Sequence, residues 1–418
     1  PKDTALMTEL VNGTLRMQGT LDWVIEQFSK VSVPKMNYII RSIVRLGVYQ
    51  LLFLDRVPAR AVCNDSVELA KSFGLRGLAG FVNGLLRSIS RNKENISYPD
   101  PEKELAPHIS LKYSHPLWMV ERWLDRFGKE DTIALCKANN NPPPVMLRCN
   151  TLKIAPDQLL EKLAEEGLVV RPSSLVPEGI IVEKTTFLPN LKSFQEGYYV
   201  VQDESSMTVA IVLNPDPGSF VIDACSGPGG KTSHLAQVMK NRGRILALDV
   251  HDHRLKLVTG TCKRLGVTIV ETRQLDAREL AEHWGEKADY LLVDVPCSGL
   301  GVIRRRPDLR WRVESGDLAG HARQQEEILE GASRCLKTGG LLLYSTCSTE
   351  PEENTGVIDK FLREHTWFKS EDLTPLLPFP LINGDDQISA RRGFLQLLPL
   401  RHGTDGFFLA CMRKGESR

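Results

Sequence analysis

From Gln202 to its C-terminus the chain repeats one rhythm, a short apolar run followed by a helical stretch. The runs are Phe220-Val221-Ile222-Asp223, Ile245-Leu246-Ala247-Leu248-Asp249, Tyr290-Leu291-Leu292-Val293-Asp294 and Leu341-Leu342-Leu343-Tyr344. Short apolar strands alternating with helices build a mostly parallel, doubly wound α/β sheet. Such a sheet binds its ligands at the carboxyl ends of the strands. Three of these four runs end in an aspartate, so the chemistry is to be sought on that rim.

The rest of the chain has a different grammar. Residues 1–95 read as a helical bundle: apolar residues recur at helical spacing in Leu10-Val11 and Leu15, and again in Ile39-Ile40, Ile43-Val44 and Val48. The run opens at Pro1 already helical in pattern, which points to an upstream piece missing from the sequence. Asn92 to Pro107 is polar and proline-containing and reads as a linker. Residues 108–200 form linker helices and a small α+β connector. One helix carries Leu117, Val120, Leu124 and Phe127 on a stripe; the strand-like pieces Val145–Arg148 and Gly179–Val182 flank a helix from Pro156 to Glu166.

With 42% hydrophobic residues the chain has ample material for several cores, which excludes disorder as its main state. No stretch approaches the ~18 apolar residues of a membrane span, and no signal-peptide core opens the chain, so a cytoplasmic protein with no membrane partner is expected. The nine cysteines are odd in number, widely spaced and without a CxxC pair, which argues against a disulfide framework or a bound metal. Residues 1–100 hold 13 Lys and Arg against 9 Asp and Glu, a mild bias towards an anionic partner.

The first strand of the rhythm runs from Asp223 into Ala224-Cys225-Ser226-Gly227-Pro228-Gly229-Gly230-Lys231-Thr232. Three glycines between strand and helix let backbone approach a ligand closely, beside a positive helix end. Asp249 ends the next strand, where an acidic residue commonly bonds ribose hydroxyls. The run nearly matches a phosphate-binding loop, but Cys225 stands where that motif needs its first glycine, and Thr232 replaces the last glycine of a dinucleotide fingerprint. An adenosine-type ligand is the better reading. Beyond two further strands lie Pro296-Cys297-Ser298-Gly299 and Thr346-Cys347-Ser348-Thr349. Two cysteines in polar turns on one rim point to thiol chemistry, and Pro351–Asn354 looks like a helix start that would favour a thiolate at Cys347.

The runs DACSGPGGKTSHLA, DVPCSGLG and YSTCSTEPEEN resemble the signature motifs of the RNA cytosine-5 methyltransferase family, whose cofactor is S-adenosyl-L-methionine. The resemblance covers residues 145–418 and implies a Rossmann-like methyltransferase domain over 201–418. The helical N-terminal region resembles a NusB-like RNA-binding domain, a combination that marks the branch acting on bacterial 16S rRNA. By this resemblance Cys347 is the nucleophile that adds to cytosine C6, Cys297 helps release the product, and Asp294 holds the ring around N3 and the exocyclic amine.

The resemblance sets Cys225, Ser226, Gly227, Pro228, Gly229, Gly230, Lys231 and Asp294 against the cofactor, with Asp249 on the ribose and Asp276 by the adenine amine. Lys231 would reach either Asp294 or the substrate. Cys225 departs from the small residue, such as alanine, common at that position. Arg304, Arg305, Arg306, Arg310 and Trp311, directly after the Cys297 loop, are expected to contact RNA by phosphate binding and stacking. His402 is expected to order its loop. The implied enzyme is a monomer that flips its target base from naked or incompletely assembled small-subunit rRNA. The same chemistry on tRNA, or a non-catalytic NusB-like RNA-binding or transcription-associated factor, stays open.

Overall fold

A computed structural model describes residues 2–184 and 187–416. The chain divides into two compact units, residues 1–141 with 306–315 and residues 142–305 with 316–418.

The first unit is all-helical: α1 (Lys2–Arg16), α2 (Gln18–Phe28), α3 (Tyr38–Phe53), α4 (Ala59–Ser72), α5 (Ala79–Arg91), α6 (Leu105–Tyr113) and α7 (Leu117–Asn140). The second stripe visible in the sequence lies in its core, with Ile40, Ile43, Val44 and Val48 buried together with Leu21, Val24, Ile25, Val82 and Leu86, whereas Val11 of the first stripe is exposed. Helix α3 starts at Asn37, whose side chain accepts from the Ile39 and Ile40 N–H groups and satisfies two of the donors every helix N-terminus leaves open. A Cβ on Gly47 would stand 2.8 Å from the Leu86 methyls, so its absence lets α3 and α5 approach. One feature differs from the sequence reading: helix α6 begins inside the expected linker, and its apolar residues do not form one strong stripe. Helices α6 and α7 cluster with the first compact unit.

The second unit contains two sheets. The smaller is antiparallel, order β2-β3-β1-β4, built from β1 (Val145–Cys149), β2 (Val169–Pro172), β3 (Gly179–Lys184) and β4 (Tyr199–Val201), with the helix Pro156–Glu165 burying Leu159 and Leu163 against it. The larger holds β5 (Phe220–Asp223), β6 (Arg244–Asp249), β7 (Val270–Gln274), β8 (Ala288–Asp294), β9 (Leu336–Thr346), β10 (Phe368–Ser370), β11 (Phe394–Leu397) and β12 (Phe407–Lys414).

The order of the larger sheet is β10-β12-β9-β8-β5-β6-β7, with β11 also paired to β12. The strands from β9 to β7 in that order are parallel, and β12 runs antiparallel to β9. The chain leaves β5 towards β6 and β7 on one side and returns to β8 and β9 on the other. That reversal opens a crevice at the carboxyl ends of β5 and β8, where ligands of open α/β sheets sit. This is the Rossmann-like sheet expected from the sequence; the sequence reading did not resolve its antiparallel edge.

Among the described residues, no helix is long and apolar enough to cross a membrane, no group of His, Cys, Asp and Glu is arranged to hold a metal ion, and all nine cysteines are free.

Candidate active site

Beyond β5 the glycine loop folds back on β6. The Ser226 N–H and hydroxyl both donate to the Leu248 carbonyl, at 2.7 and 2.9 Å. Gly229 has φ 102°, and a Cβ there would meet the Val258 backbone at 2.9 Å. A Cβ on Gly227 would lie 2.6 Å from Asp249 Oδ2, the atom that accepts from the Gly227 N–H at 3.3 Å. Gly227 thus lets the loop pack onto the acidic end of β6, and Gly229 lets it pack onto the helix Asp252–Leu265 that follows.

The crevice beside this loop is a cleft of about 290 Å³, small among ligand pockets, which run to roughly 300–1,000 Å³. Cys225, Gly227, Asp249, Asp276 and Asp294 line it, whereas Ser226, Pro228, Gly229, Gly230 and Lys231 are not part of its wall. Asp276 is gripped by its neighbour, accepting from the Arg278 guanidinium at 2.7 Å, and this bond holds its carboxyl below the usual range. Burial, with Asp223, Asp294, Asp249 and Asp276 nearby, pushes the Cys225 thiol well above its ordinary value and keeps it neutral.

Asp294, at the end of β8, is held on both oxygens. Lys231 Nζ donates to Oδ2 and Ser345 Oγ to Oδ1, each at 2.7 Å. Lys231 therefore reaches Asp294. Burial pulls the Lys231 amine down, but the charge and hydrogen bond of Asp294 outweigh it, so the ammonium is reinforced.

Cys297 and Cys347 meet with their sulfurs 3.2 Å apart. Their loops are stitched by backbone: Gly301 N–H donates to the Cys347 carbonyl at 2.9 Å, and Gly406 N–H to the Gly301 carbonyl at 2.8 Å. A Cβ on Gly301 would lie 2.0 Å from the Gly406 oxygen, so only glycine fits there. The two thiols are electrostatically unequal. The hydrogen bond from Cys297 lowers the Cys347 thiol, with help from Lys231 and against burial, Asp294 and Glu353. The same bond, with burial, raises Cys297 well above its ordinary value. The arrangement biases the proton towards Cys297 and the negative charge towards Cys347. The turn Pro351–Glu353 and the helix Thr355–Glu364 follow, as the sequence suggested.

The residues after the two cysteines have a role that their motifs alone do not reveal. Ser298, Ser348, Gln325 and Glu353 form a buried network directly beneath the thiols. The available signal was that each cysteine is followed by a serine.

The arginine segment departs from expectation. Arg304 is buried and donates to the Gly403 and Thr404 carbonyls at 2.8 and 2.9 Å. Arg305 bridges Asp203 and Asp405 at 2.6 and 2.5 Å. Arg310 is fully buried in the first unit on the carbonyls of Arg16, Ser114 and Asn139. Trp311 donates to the Leu15 carbonyl at 2.7 Å and packs on Gly19. These four side chains are committed to internal partners and do not form an RNA platform; of the five, Arg306 alone is exposed. His402 accepts from the Leu398 N–H at 3.0 Å and orders its own turn.

The model of the 16S rRNA methyltransferase RsmB/F family matches residues 210–413. A NusB family model matches 1–91, and a ferredoxin-like domain of RsmF/B-like methyltransferases matches 115–187. A probable ribosomal RNA small subunit methyltransferase B of Bacillus subtilis is 39% identical, over 99% of this chain and 91% of its own. Its namesake in Synechocystis is 40% identical over 99% and 92%. The chain belongs to the RsmB/F family of rRNA methyltransferases.

Solved structures agree with this family assignment. The crystal structure of PH0851 superposes with a TM-score of 0.84 at 32% identity, covering 98% of this chain and 90% of that one. The Pyrococcus horikoshii NSun6, solved with SFG, gives 0.65 at 28% identity, covering 72% and 99%. The NusB-like bundle and the Rossmann-like sheet are thus features this RsmB/F member shares with known relatives.

Proposed function

We propose that this RsmB/F-family methyltransferase forms 5-methylcytidine in bacterial 16S rRNA through a covalent adduct between Cys347 and cytosine C6. The observation that carries the reading is the thiol pair, 3.2 Å apart, with the proton biased to Cys297 and Asp294 fixed on the adjoining strand end.

The donor set fits S-adenosyl-L-methionine. Asp249 and Asp276 in the cleft suit ribose and adenine groups, and carboxylates converging on one crevice suit a cationic sulfonium. When bound, the cofactor supplies the methyl group. The chain does the rest. Cytosine C5 is a poor nucleophile until something adds at C6, so the Cys347 thiolate adds there and makes C5 enamine-like. Asp294, oriented by Lys231 and Ser345, holds the N3 edge of the ring by accepting from the exocyclic amine, and the Lys231 ammonium 2.7 Å from that carboxylate balances the charge that develops. A solvent base takes the C5 proton as the Cys347 thiolate is expelled and the ring becomes aromatic again, and the Cys297 thiol, its sulfur 3.2 Å away, stabilises the departing sulfur. The base must leave its stack to reach the thiols, which favours naked or incompletely assembled small-subunit RNA as the substrate.

Nucleoside mass spectrometry after incubation with S-adenosyl-L-methionine and either unmodified 16S rRNA or bulk tRNA tests both reaction and substrate. Methylcytidine in the rRNA alone is expected; product only in tRNA would keep the mechanism and overturn the substrate. Cys347→Ala is expected to abolish product and adduct, and Cys297→Ala to accumulate a protein–RNA adduct that survives denaturation. The opposite pattern would swap the two roles.

A further inference from the structure

Beneath the thiols lies a buried anion that the mechanism above does not use. Glu353 is fully buried, at 0% exposure. Its Oε2 accepts from the Ser298 hydroxyl at 2.5 Å and from the Ser348 hydroxyl. Its Oε1 accepts from the Ser298 N–H at 2.8 Å and from Gln325 Nε2 at 3.0 Å, and the same Gln325 nitrogen reaches the Pro296 carbonyl at 3.0 Å. The Tyr344 hydroxyl fixes the Glu353 backbone carbonyl at 2.6 Å. Among the described residues no lysine or arginine pairs with this carboxylate.

An uncompensated buried charge is costly, and four donors aimed at its two oxygens are what make it tolerable. The donors are not scattered. Ser298 follows Cys297 and Ser348 follows Cys347, their hydroxyl oxygens are 3.2 Å apart, and both donate to one oxygen. One carboxylate therefore ties the residue after each thiol, and through Gln325 the residue before Cys297. We propose that Glu353 is a positioning residue that sets the separation of the Cys297 and Cys347 sulfurs by clamping both loops to a single carboxylate. The inference deepens the reading of these cysteines as the reaction's two thiols, and rests on it. Glutamine keeps the shape but removes the charge and turns an N–H₂ towards the two serine hydroxyls, which must then reverse from donating to accepting although each already accepts a backbone N–H, from Leu300 and Glu350.

The test reads thiol spacing directly, apart from methylation. Diamide, a diazene oxidant, converts two thiols to a disulfide; two electrons and two protons pass to the diazene, which becomes a hydrazine. The initial rate of Cys297–Cys347 disulfide formation in the full chain is followed by peptide mass spectrometry. Glu353→Gln is expected to slow it about tenfold, the scale of one lost hydrogen bond's worth of ordering, with Glu353→Asp in between. Loss of the negative charge alone would favour the Cys347 thiolate and speed the reaction, so a slower rate reports geometry. A folded Glu353→Gln protein that cross-links at the wild-type rate or faster overturns the proposal. Should that variant not fold, the Ser298→Ala/Ser348→Ala double variant decides on the same criterion.

Adduct trapping separates this inference from the functional reading beneath it. If Cys297→Ala traps no RNA adduct, that reading fails whatever the cross-linking rates. If it traps one while the Glu353 and serine variants cross-link like wild type, the positioning role alone fails. In methylation assays Glu353→Gln is expected to lower kcat with little change in KM for RNA, because the residue acts on the thiols and touches no substrate.

Discussion

Arg310 in the helical unit and Glu353 in the catalytic unit are opposite charges handled alike. Each is fully buried and, among the described residues, pairs with no counter-ion. Each is solvated by dipoles that converge from separate chain segments. Arg310 donates to the Arg16, Ser114 and Asn139 carbonyls at 3.3, 3.0 and 3.2 Å and to Asn140 Oδ1 at 2.9 Å. These acceptors lie at the carboxyl ends of α1, α6 and α7, where orphan carbonyls and the negative ends of helix dipoles gather. Glu353 collects two hydroxyls and a backbone N–H from two strand-end loops and an amide N–H from the helix Asp317–Ser333. The difference is in what is left over. Around Arg310 the donated bonds all go to helix-end acceptors, and the result is architecture. Around Glu353 the bonds go to the serines, and the neighbouring thiols remain on the rim.

The largest expected consequence falls on the helical unit. Arg310→Ala leaves four buried acceptors without their donor and a void where three helix ends meet, with an expected loss of about 3–5 kcal/mol, the range for breaking a buried charged network. Denaturant unfolding of the full chain, followed by a probe in the helical unit, reads it. A loss within about 0.5 kcal/mol of zero, usual for exposed surface substitutions, would return Arg310 to the RNA-contacting role expected from its sequence context.

That contrast also marks what could be read without coordinates. The catalytic sheet was legible because its signals are local: apolar runs, a glycine loop and acidic strand ends fall within a few residues of each other. Cys347, Cys297, Asp294 and Asp249 could be named for the same reason. The fate of the arginine run could not be read, because the partners of Arg310 stand at positions 16, 114, 139 and 140, and helix-end carbonyls carry no sequence signature. Glu353 was hidden differently. It lies in a quoted motif, but its function depends on serines from two loops reaching one carboxylate. Local chemistry survives in a sequence, whereas convergence of distant dipoles does not.

Lys231 offers a sharper and somewhat smaller test, since it acts on Cys347 with the sign opposite to Glu353. Its ammonium lowers the Cys347 thiol while the carboxylate raises it. Removing the cation in Lys231→Met should therefore move the acidic limb of the kcat/KM profile to higher pH, because the thiolate then forms only at higher pH. At neutral pH the loss is expected to be about tenfold, the effect of one pH unit on a scarce thiolate. Part of that loss should be recovered at alkaline pH. A uniform loss with an unmoved midpoint would mean that Lys231 serves only to hold Asp294.

Asp223 shows what happens when a buried charge lacks such a set of dipoles. Thr232 donates to its Oδ2 at 2.7 Å, but Oδ1 is left without a partner. Burial then raises the carboxyl from an ordinary 3.8 to about 7, against the Thr232 bond. A folded-state value above the unfolded one means that the folded chain binds the extra proton between those limits. The stabilisation is complete at the acidic end of that window and is lost as pH rises through about 7. Asp223→Asn keeps an acceptor for Thr232 and has no proton to lose, so its melting temperature should vary less across the window than that of the wild type. Parallel Tm–pH curves for the two proteins would show that Asp223 is already ionised at the acidic end. It would then belong with Glu353 as a third buried charge stabilised by its surroundings.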